Sequence, residues 1–250
     1  MVANALITRS SGRALQRVIL KGFRGFTLAE VLITLVIIGV IAAMTIPTLI
    51  NKTDKQEYVN RFKKGHAVLV QALNLAQAQN GPLSIWDWSS QQSGFDNVEN
   101  YIVPHLQIAE NCKNTTNCNL NYDWKTLSGS SWFNFKTNTS QYKIVLNDGF
   151  AVVFYPRTSC VENSTKCMDI HIDVNGPKGP NKRGRDIFSF YVYPHTNDML
   201  PAGIRTETYN SSTGLWAMRT RNDVEENCNS SHDGIMCGAK IILDGYKMNY

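Results

Sequence analysis

Glu30 is the single charged side chain between Phe26 and Ile50. A carboxylate in so apolar a segment calls for an opposite charge or a set of hydrogen-bond donors. Two other sets of residues have types and spacing suited to chemistry. Six cysteines fall in close pairs, Cys112 with Cys118, Cys160 with Cys167 and Cys228 with Cys237. None forms a C-x-x-C, and no nearby histidine cluster completes a zinc site. All follow the apolar segment, so in an exported domain disulfides between sequence neighbours are expected, each stabilising by about 2–3 kcal/mol in the chain-entropy account. Neighbour pairing is one of many connectivities that six cysteines allow. The remaining set is Asp169, His171 and Asp173. Two apart on a strand, these would share one face, and a solvated polar face is the expected role. His105 and His195, each beside a proline, read as loop residues. The sequence contains no P-loop, G-x-S-x-G, H-E-x-x-H or dinucleotide fingerprint, and no enzyme activity is expected.

These residues need elements to hold them. The chain has 250 residues and a formal net charge of +5, enough length for a sizeable core. Arg9, Arg13, Arg17, Lys21 and Arg24 all precede Gly25, with no acid among them. Without these five, the basic and acidic residues balance at 20 each. The basic character therefore belongs to the leader, as the positive-inside rule expects, and the neutral remainder argues against nucleic acid as the main partner.

Phe26–Ile50 is long enough to cross a bilayer as a helix. Pro47 and Gly39 are soft points where the helix is expected to kink or loosen. Beyond Asn51-Lys52-Thr53-Asp54, Tyr58, Val59, Phe62, His66, Leu69, Val70 and Leu73 recur at helical steps, with Lys63, Lys64 and Gln71 opposite. This helix should stop near Asn80-Gly81-Pro82, with His66 at the edge of the apolar stripe. Residues 83–140 read as loops with short helices near Asp96–Ile108. Trp86, Trp88, Trp124 and Trp132 are expected to be core anchors, because bases are too sparse there for a nucleic-acid stacking platform. Tyr142–Leu146 and Phe150–Tyr155 flank Asn147-Asp148-Gly149, a hairpin signal. Met168–Val174 and Ile187–Tyr193 read as further strands. Leu215–Met218 reads as a short helix or strand, and residues 237–246 as a closing strand. The expected class is α+β: a long N-terminal helix, half membrane-spanning and half amphipathic, packed on an antiparallel sheet. The divisions are residues 1–25, 26–50, 51–82 and an exported domain, 83–250.

Lys21-Gly-Phe-Arg-Gly25 followed by Phe26-Thr-Leu-Ala-Glu30 resembles the processing site and first helix of the type IV pilin and type II secretion pseudopilin superfamily. The resemblance implies a pilin-like fold, cleavage after Gly25 by a prepilin peptidase and N-methylation of the new first residue, Phe26. It further implies pairing of the Glu30 carboxylate with the Phe26 amine of a neighbouring subunit, which neutralises two charges costly in lipid and sets register. Its other implications are residence in the bacterial inner membrane as a single-pass protein with an extracytoplasmic domain, and contact with membrane lipid and an inner-membrane assembly platform. Assembly with itself and other pilin-like subunits into a pilus or secretion pseudopilus would follow. The 25-residue leader is longer than many in that superfamily. Three other readings stay open: a secretory signal cut near Ala42 and Ala43, a plain anchor for a binding domain that never assembles, and a minor or competence pilin for DNA uptake.

The stretch from Asp173 to Asp186 resembles a loop of prepilin-type proteins related to the major pseudopilin, in which the equivalent region can bind calcium. Asp173, Asn175, Asn181 and Asp186 are the candidate ligands here, although Lys178, Lys182, Arg183 and Arg185 share the loop. Gly184 stands where an EF-hand would place its closing glutamate. The competing expectation is a Gly/Pro/Asn turn pinned by local Asp–backbone bonds. The processing assignment makes a direct prediction. The intact mass of the membrane-extracted protein should match a chain beginning at N-methylated Phe26, and a mass matching cleavage after Ala43, or none, would overturn it.

Overall fold

The computed structural model describes residues 25–161, 165–210, 212 and 215–250. The leader expectation for residues 1–24 lies outside them. Helix α1 runs Leu28–Asn80 as one element, with Pro47 inside it and the amphipathic half continuing through the polar stretch 51–54. Thr45, Thr48 and Thr53 each donate a side-chain hydrogen bond back to the preceding turn. The helix stops at Asn80, and Gly81 takes φ +82°, the left-handed cap that a Cβ would strain. The chain divides into two compact units between Thr48 and Leu49. In the first, the large apolar side chains Leu35, Val36, Ile38 and Met44 are exposed, and the helix is long and apolar enough to cross a membrane.

In the second unit, six antiparallel strands form one sheet: β1 Ile108–Lys113, β4 Tyr142–Leu146, β5 Ala151–Pro156, β6 Met168–Asp173, β7 Ile187–Tyr193 and β8 Asp198–Pro201, in the order β1-β4-β5-β6-β7-β8. Asn147-Asp148-Gly149 makes the β4–β5 turn with Gly149 at φ +84°. Val59, Phe62, Leu69, Leu73 and Ala76 of α1 are buried in one core with Ile170, Ile172, Phe188 and Phe190 of the sheet. Phe62 lies 4.8 Å from Phe188 and 5.7 Å from Phe190, ring centre to ring centre. His66 stacks on Phe190 at 5.1 Å, and its burial lowers its pKa. Gly65 lets the helix approach, since a Cβ there would lie 2.6 Å from Ile172 Cδ1.

The opposite face of the sheet is covered too. A hairpin of β2 Asp123–Lys125 and β3 Ser131–Asn134 brings Trp124, Phe133 and Phe135 against Ala151, Val153 and Ile187. This corrects the expectation for Asp169, His171 and Asp173. They do share one face, but all three are buried, because the hairpin and its aromatic cluster take the place of solvent. Before the sheet, Trp86 and Trp88 are buried, as are Trp124 and the α2 residue Phe95, with α2 spanning Gln91–Asn97. A π-helical turn, Val98–Ile102, and a short 3₁₀ turn then lead to β1. Leu215–Met218 is a strand, β10, paired with β9, Arg205–Asn210.

The expected closing strand at 237–246 is instead a helix. After α3, Arg221–Asn227, comes α4, Cys237–Leu243. Cys237 and Ile241, four apart, turn inward, and Lys240 pairs with Asp244 at 3.0 Å. A short apolar run such as Ile241-Ile242-Leu243 has no periodicity that separates strand from helix.

Gly94 in α2 packs where an added Cβ would lie 2.2 Å from Pro156 Cβ. A proline ring cannot swing aside. Gly94→Ala should therefore destabilise the protein by about 1–3 kcal/mol despite alanine's better helix propensity, read as a lower denaturation midpoint; an unchanged or higher midpoint would contradict this packing.

Candidate functional site

Phe26 and Glu30 lie at the start of α1. Phe26 is 87% exposed. The Thr27 backbone N–H donates to Glu30 Oε2 at 2.8 Å and the Thr27 hydroxyl donates to the same oxygen at 2.9 Å. In return the Glu30 N–H donates to Thr27 Oγ1 at 3.2 Å. This is a capping box: two donors at the exposed helix start are satisfied by one threonine–glutamate pair. Glu30 thus has donors within its own chain. The pattern Thr-x-x-Glu was present in the sequence and is the signal that reading Glu30 as an intersubunit charge alone passed over. Phe26, Glu30, Val31 and Thr34 line one shallow groove.

The second candidate site lies where β6 ends and β7 begins. Asp173 pairs in register with Ile187, and the Val174 N–H donates to the Asp186 carbonyl at 2.9 Å, which brings Asp173 and Asp186 together. Both are fully buried. Asp173 Oδ1 accepts from the Asn175 N–H at 3.1 Å, and Oδ2 accepts from the Tyr122 hydroxyl at 3.0 Å. The Asp186 carboxylate accepts the N–H groups of Asn181 and Lys182, each at 2.8 Å. Among the described residues neither carboxylate has an ion-pair partner. Arg183, which shares the loop, instead pairs with Asp233 and lies over the Trp132 ring, 3.6 Å from its centre. Burial, and then the charge of Asp186, hold the Asp173 pKa well above the usual carboxylate range. Burial likewise pushes Asp186 up to about 6, against the pull of the Lys182 and Asn181 N–H groups.

Around this pair, Asn175 Oδ1 and Asn181 Oδ1 are buried and accept no hydrogen bond. The Asn175 amide nitrogen donates to the carbonyls of Lys178 at 3.0 Å and Gly179 at 3.2 Å, and the side chain also helps hold down the Asp186 pKa. Asn181 sits at φ +52°, a left-handed conformation that asparagine tolerates better than most residues. Two carboxyl groups without an ion-pair partner among the described residues and two acceptor oxygens left open form a set made entirely of hard oxygen donors. That set fits a hard divalent cation such as calcium. The structure brings the four residues singled out from the sequence into one place. It adds Tyr122, which lies some fifty residues upstream and carried no sequence signal for this role.

The other chemistry-bearing residues separate. The cysteines are bonded as Cys112–Cys118, Cys160–Cys167 and Cys228–Cys237. Glu110 lies beside Cys112 and Cys118, but both sulfurs are committed to their disulfide. Asp169 pairs with Arg157 and Lys166. His171 Nδ1 is 2.8 Å from Ser189 Oγ and its ring meets Trp132 edge-on. Burial, reinforced by Arg183, Lys166 and Arg157, holds His171 neutral. No carboxylate orients it, so the alternating Asp-His-Asp sequence does not form an acid–base constellation.

Residues 48–250 match a family of unknown function, DUF6613, and residues 20–46 match the prokaryotic N-terminal methylation motif, which is characteristic of type IV pilins and pseudopilins. The two matches meet within a few residues of the division between the two compact units. No curated protein and no solved structure matches the chain.

Proposed function

The chain belongs to the DUF6613 family of unknown function and carries ahead of it a prokaryotic N-terminal methylation motif; from that premise we propose that it is a filament subunit of the type IV pilus or type II secretion pseudopilus kind. A prepilin peptidase cuts after Gly25, and the freed amine of Phe26 is N-methylated. The carrying observation is the placement of Glu30 at the exposed start of α1, one turn from Phe26, ahead of a run of exposed apolar side chains. Before assembly Thr27 satisfies the carboxylate. On docking, the amine of a neighbouring Phe26 supplies a full positive charge, a stronger partner than neutral donors in a medium of low dielectric. The exposed apolar residues Leu28 to Ile50 then pack against lipid and against other subunits' helices. In this reading the leader's cations stay on the cytoplasmic side of the inner membrane, and the disulfide-bonded unit lies outside it.

Replacing Glu30 with alanine tests assembly. The variant should still be cut after Gly25 and accumulate in the membrane fraction, yet be lost by tenfold or so from the sheared filament fraction. That loss is what removal of roughly 1.4 kcal/mol of docking energy produces. Wild-type incorporation would remove the register role and favour an anchored domain that does not assemble.

A second reading concerns the loop 173–186. The open Asn175 and Asn181 amide oxygens beside two unpaired buried carboxylates favour calcium. Asp173, Asn175, Asn181 and Asp186 would hold the ion, and it would supply charge neutralisation where β6 meets β7. Calcium at millimolar concentration should raise the melting temperature of the full-length protein in detergent above its value in EDTA. Asp173→Asn keeps the hydrogen-bonding shape but removes a charge, and should erase the shift. An unchanged wild-type melting temperature would eliminate calcium as a ligand.

A further inference from the structure

The loop from Val174 to Asp186 does more than join β6 to β7. The Lys125 N–H donates to the Asn181 carbonyl and the Arg183 N–H donates to the Lys125 carbonyl, both at 2.8 Å, so Lys182 forms a parallel bridge with β2. Tyr122, just ahead of β2, stacks on Phe135 with ring centres 5.6 Å apart and sends its hydroxyl to Asp173. Arg183 rests on Trp132 of β3 and pairs with Asp233. The main-chain carbonyls of Asp233 and His232 in turn accept from Leu127 and Ser128 in the β2–β3 turn. Among the described residues, apart from the pairing of β2 with β3, the main-chain hydrogen bonds from residues 123–131 to the rest of the unit run either to this loop or to residues 232–233.

We propose that the Tyr122 hydroxyl positions Asp173 for a divalent cation, and that cation occupancy at Asp173, Asn175, Asn181 and Asp186 clamps the β2–β3 hairpin onto the sheet. The inference rests on the cation reading above and extends it to a residue and a consequence of its own. Asp173 and Asp186 stand at opposite ends of the loop that holds Lys125, close enough that the charge of Asp186 disfavours ionisation of Asp173. A cation between them favours the ionised form of both and draws the two ends of the loop together. It also fixes Asn181, whose own carbonyl is the acceptor for the Lys125 N–H. Tyr122 holds the carboxylate of Asp173 from the far side, as outer-shell hydrogen-bond donors do for metal ligands, and such donors typically change metal affinity by ten- to a hundredfold. Because Tyr122 is itself packed in the hairpin's aromatic cluster, the same hydrogen bond links the hairpin to the ion.

The test compares the full-length protein with Tyr122→Phe in detergent, with calcium chloride as the probe. Calorimetric titration reads affinity, and amide hydrogen exchange reads protection of residues 123–134 with calcium and with EDTA. Melting in EDTA checks that the variant folds, and Asn181→Gly, which suits the φ of that position while deleting a ligand oxygen, serves as the second variant. Wild type should bind calcium and gain protection in the hairpin. Tyr122→Phe should bind about tenfold more weakly and lose most of the calcium-dependent protection, while its melting in EDTA stays near wild type. Asn181→Gly should lose both binding and protection. If wild type binds calcium but Tyr122→Phe has wild-type affinity and protection, or if the hairpin's exchange ignores calcium, the coupling is overturned and the cation site stands. If wild type binds no calcium, both fall.

Discussion

The seating of the α1 stripe on the six-stranded sheet is the contact on which the rest of the second unit depends. Phe62 is wedged against Phe188 and Phe190, and Gly65 admits Ile172 to the helix surface. Nonpolar area removed from water stabilises by roughly 25 cal/mol per Å², and this core buries residues from five strands as well as six positions of the helix. It also fixes which side of every strand looks inward. Once Ile170 and Ile172 face the helix, pleating sends Asp169, His171 and Asp173 to the other face of the sheet.

That other face does not reach solvent, and the consequence is a buried polar layer. Each group in it then has to find a partner. Asp169 is neutralised by Arg157 and Lys166, and His171 by losing its charge and bonding Ser189. Lys143, fully buried on β4, directs its ammonium to the carbonyls of Thr115 at 2.7 Å and Lys136 at 3.3 Å. Asp173 and Asp186 are different. They have hydrogen-bond donors but no countercharge among the described residues. Their burial is balanced instead by those donors and by raised pKa values, which favour the uncharged carboxyl form.

At the start of α1 the same physical problem has a different solution. Glu30 sits at the exposed start of a helix long and apolar enough to cross a membrane. The capping box gives it three polar contacts with Thr27 inside a single turn. A carboxylate satisfied this way has its hydrogen-bond donors within its own chain. The exposed apolar side chains that follow have no such internal solution and require lipid or other helices.

Local chemistry made much of this legible in the sequence. The N-terminal methylation motif could be read because Glu30 is conspicuous in an apolar run. The end of α1 could be read because Gly81 can take a positive φ, and the β4–β5 hairpin because Asn-Asp-Gly suits a tight turn. The α-helical period of Val59, Phe62, Leu69 and Leu73 named the buried face in advance. Tertiary structure alone decided what covers the second face of the sheet, since the partner of a strand's polar side is chosen by chain segments far away. For that reason the Asp-His-Asp face read as solvated and proved buried. For that reason too residues 237–243 became a helix, and Tyr122 joined Asp173 across some fifty residues. The sequence by itself determined which residues could not be left in water or in lipid. Only the folded chain determined which of them received partners, because pairing depends on which distant segments pack together: Arg183 meets Asp233 and Trp132, and among the described residues Asp173 and Asp186 have no ion-pair partner.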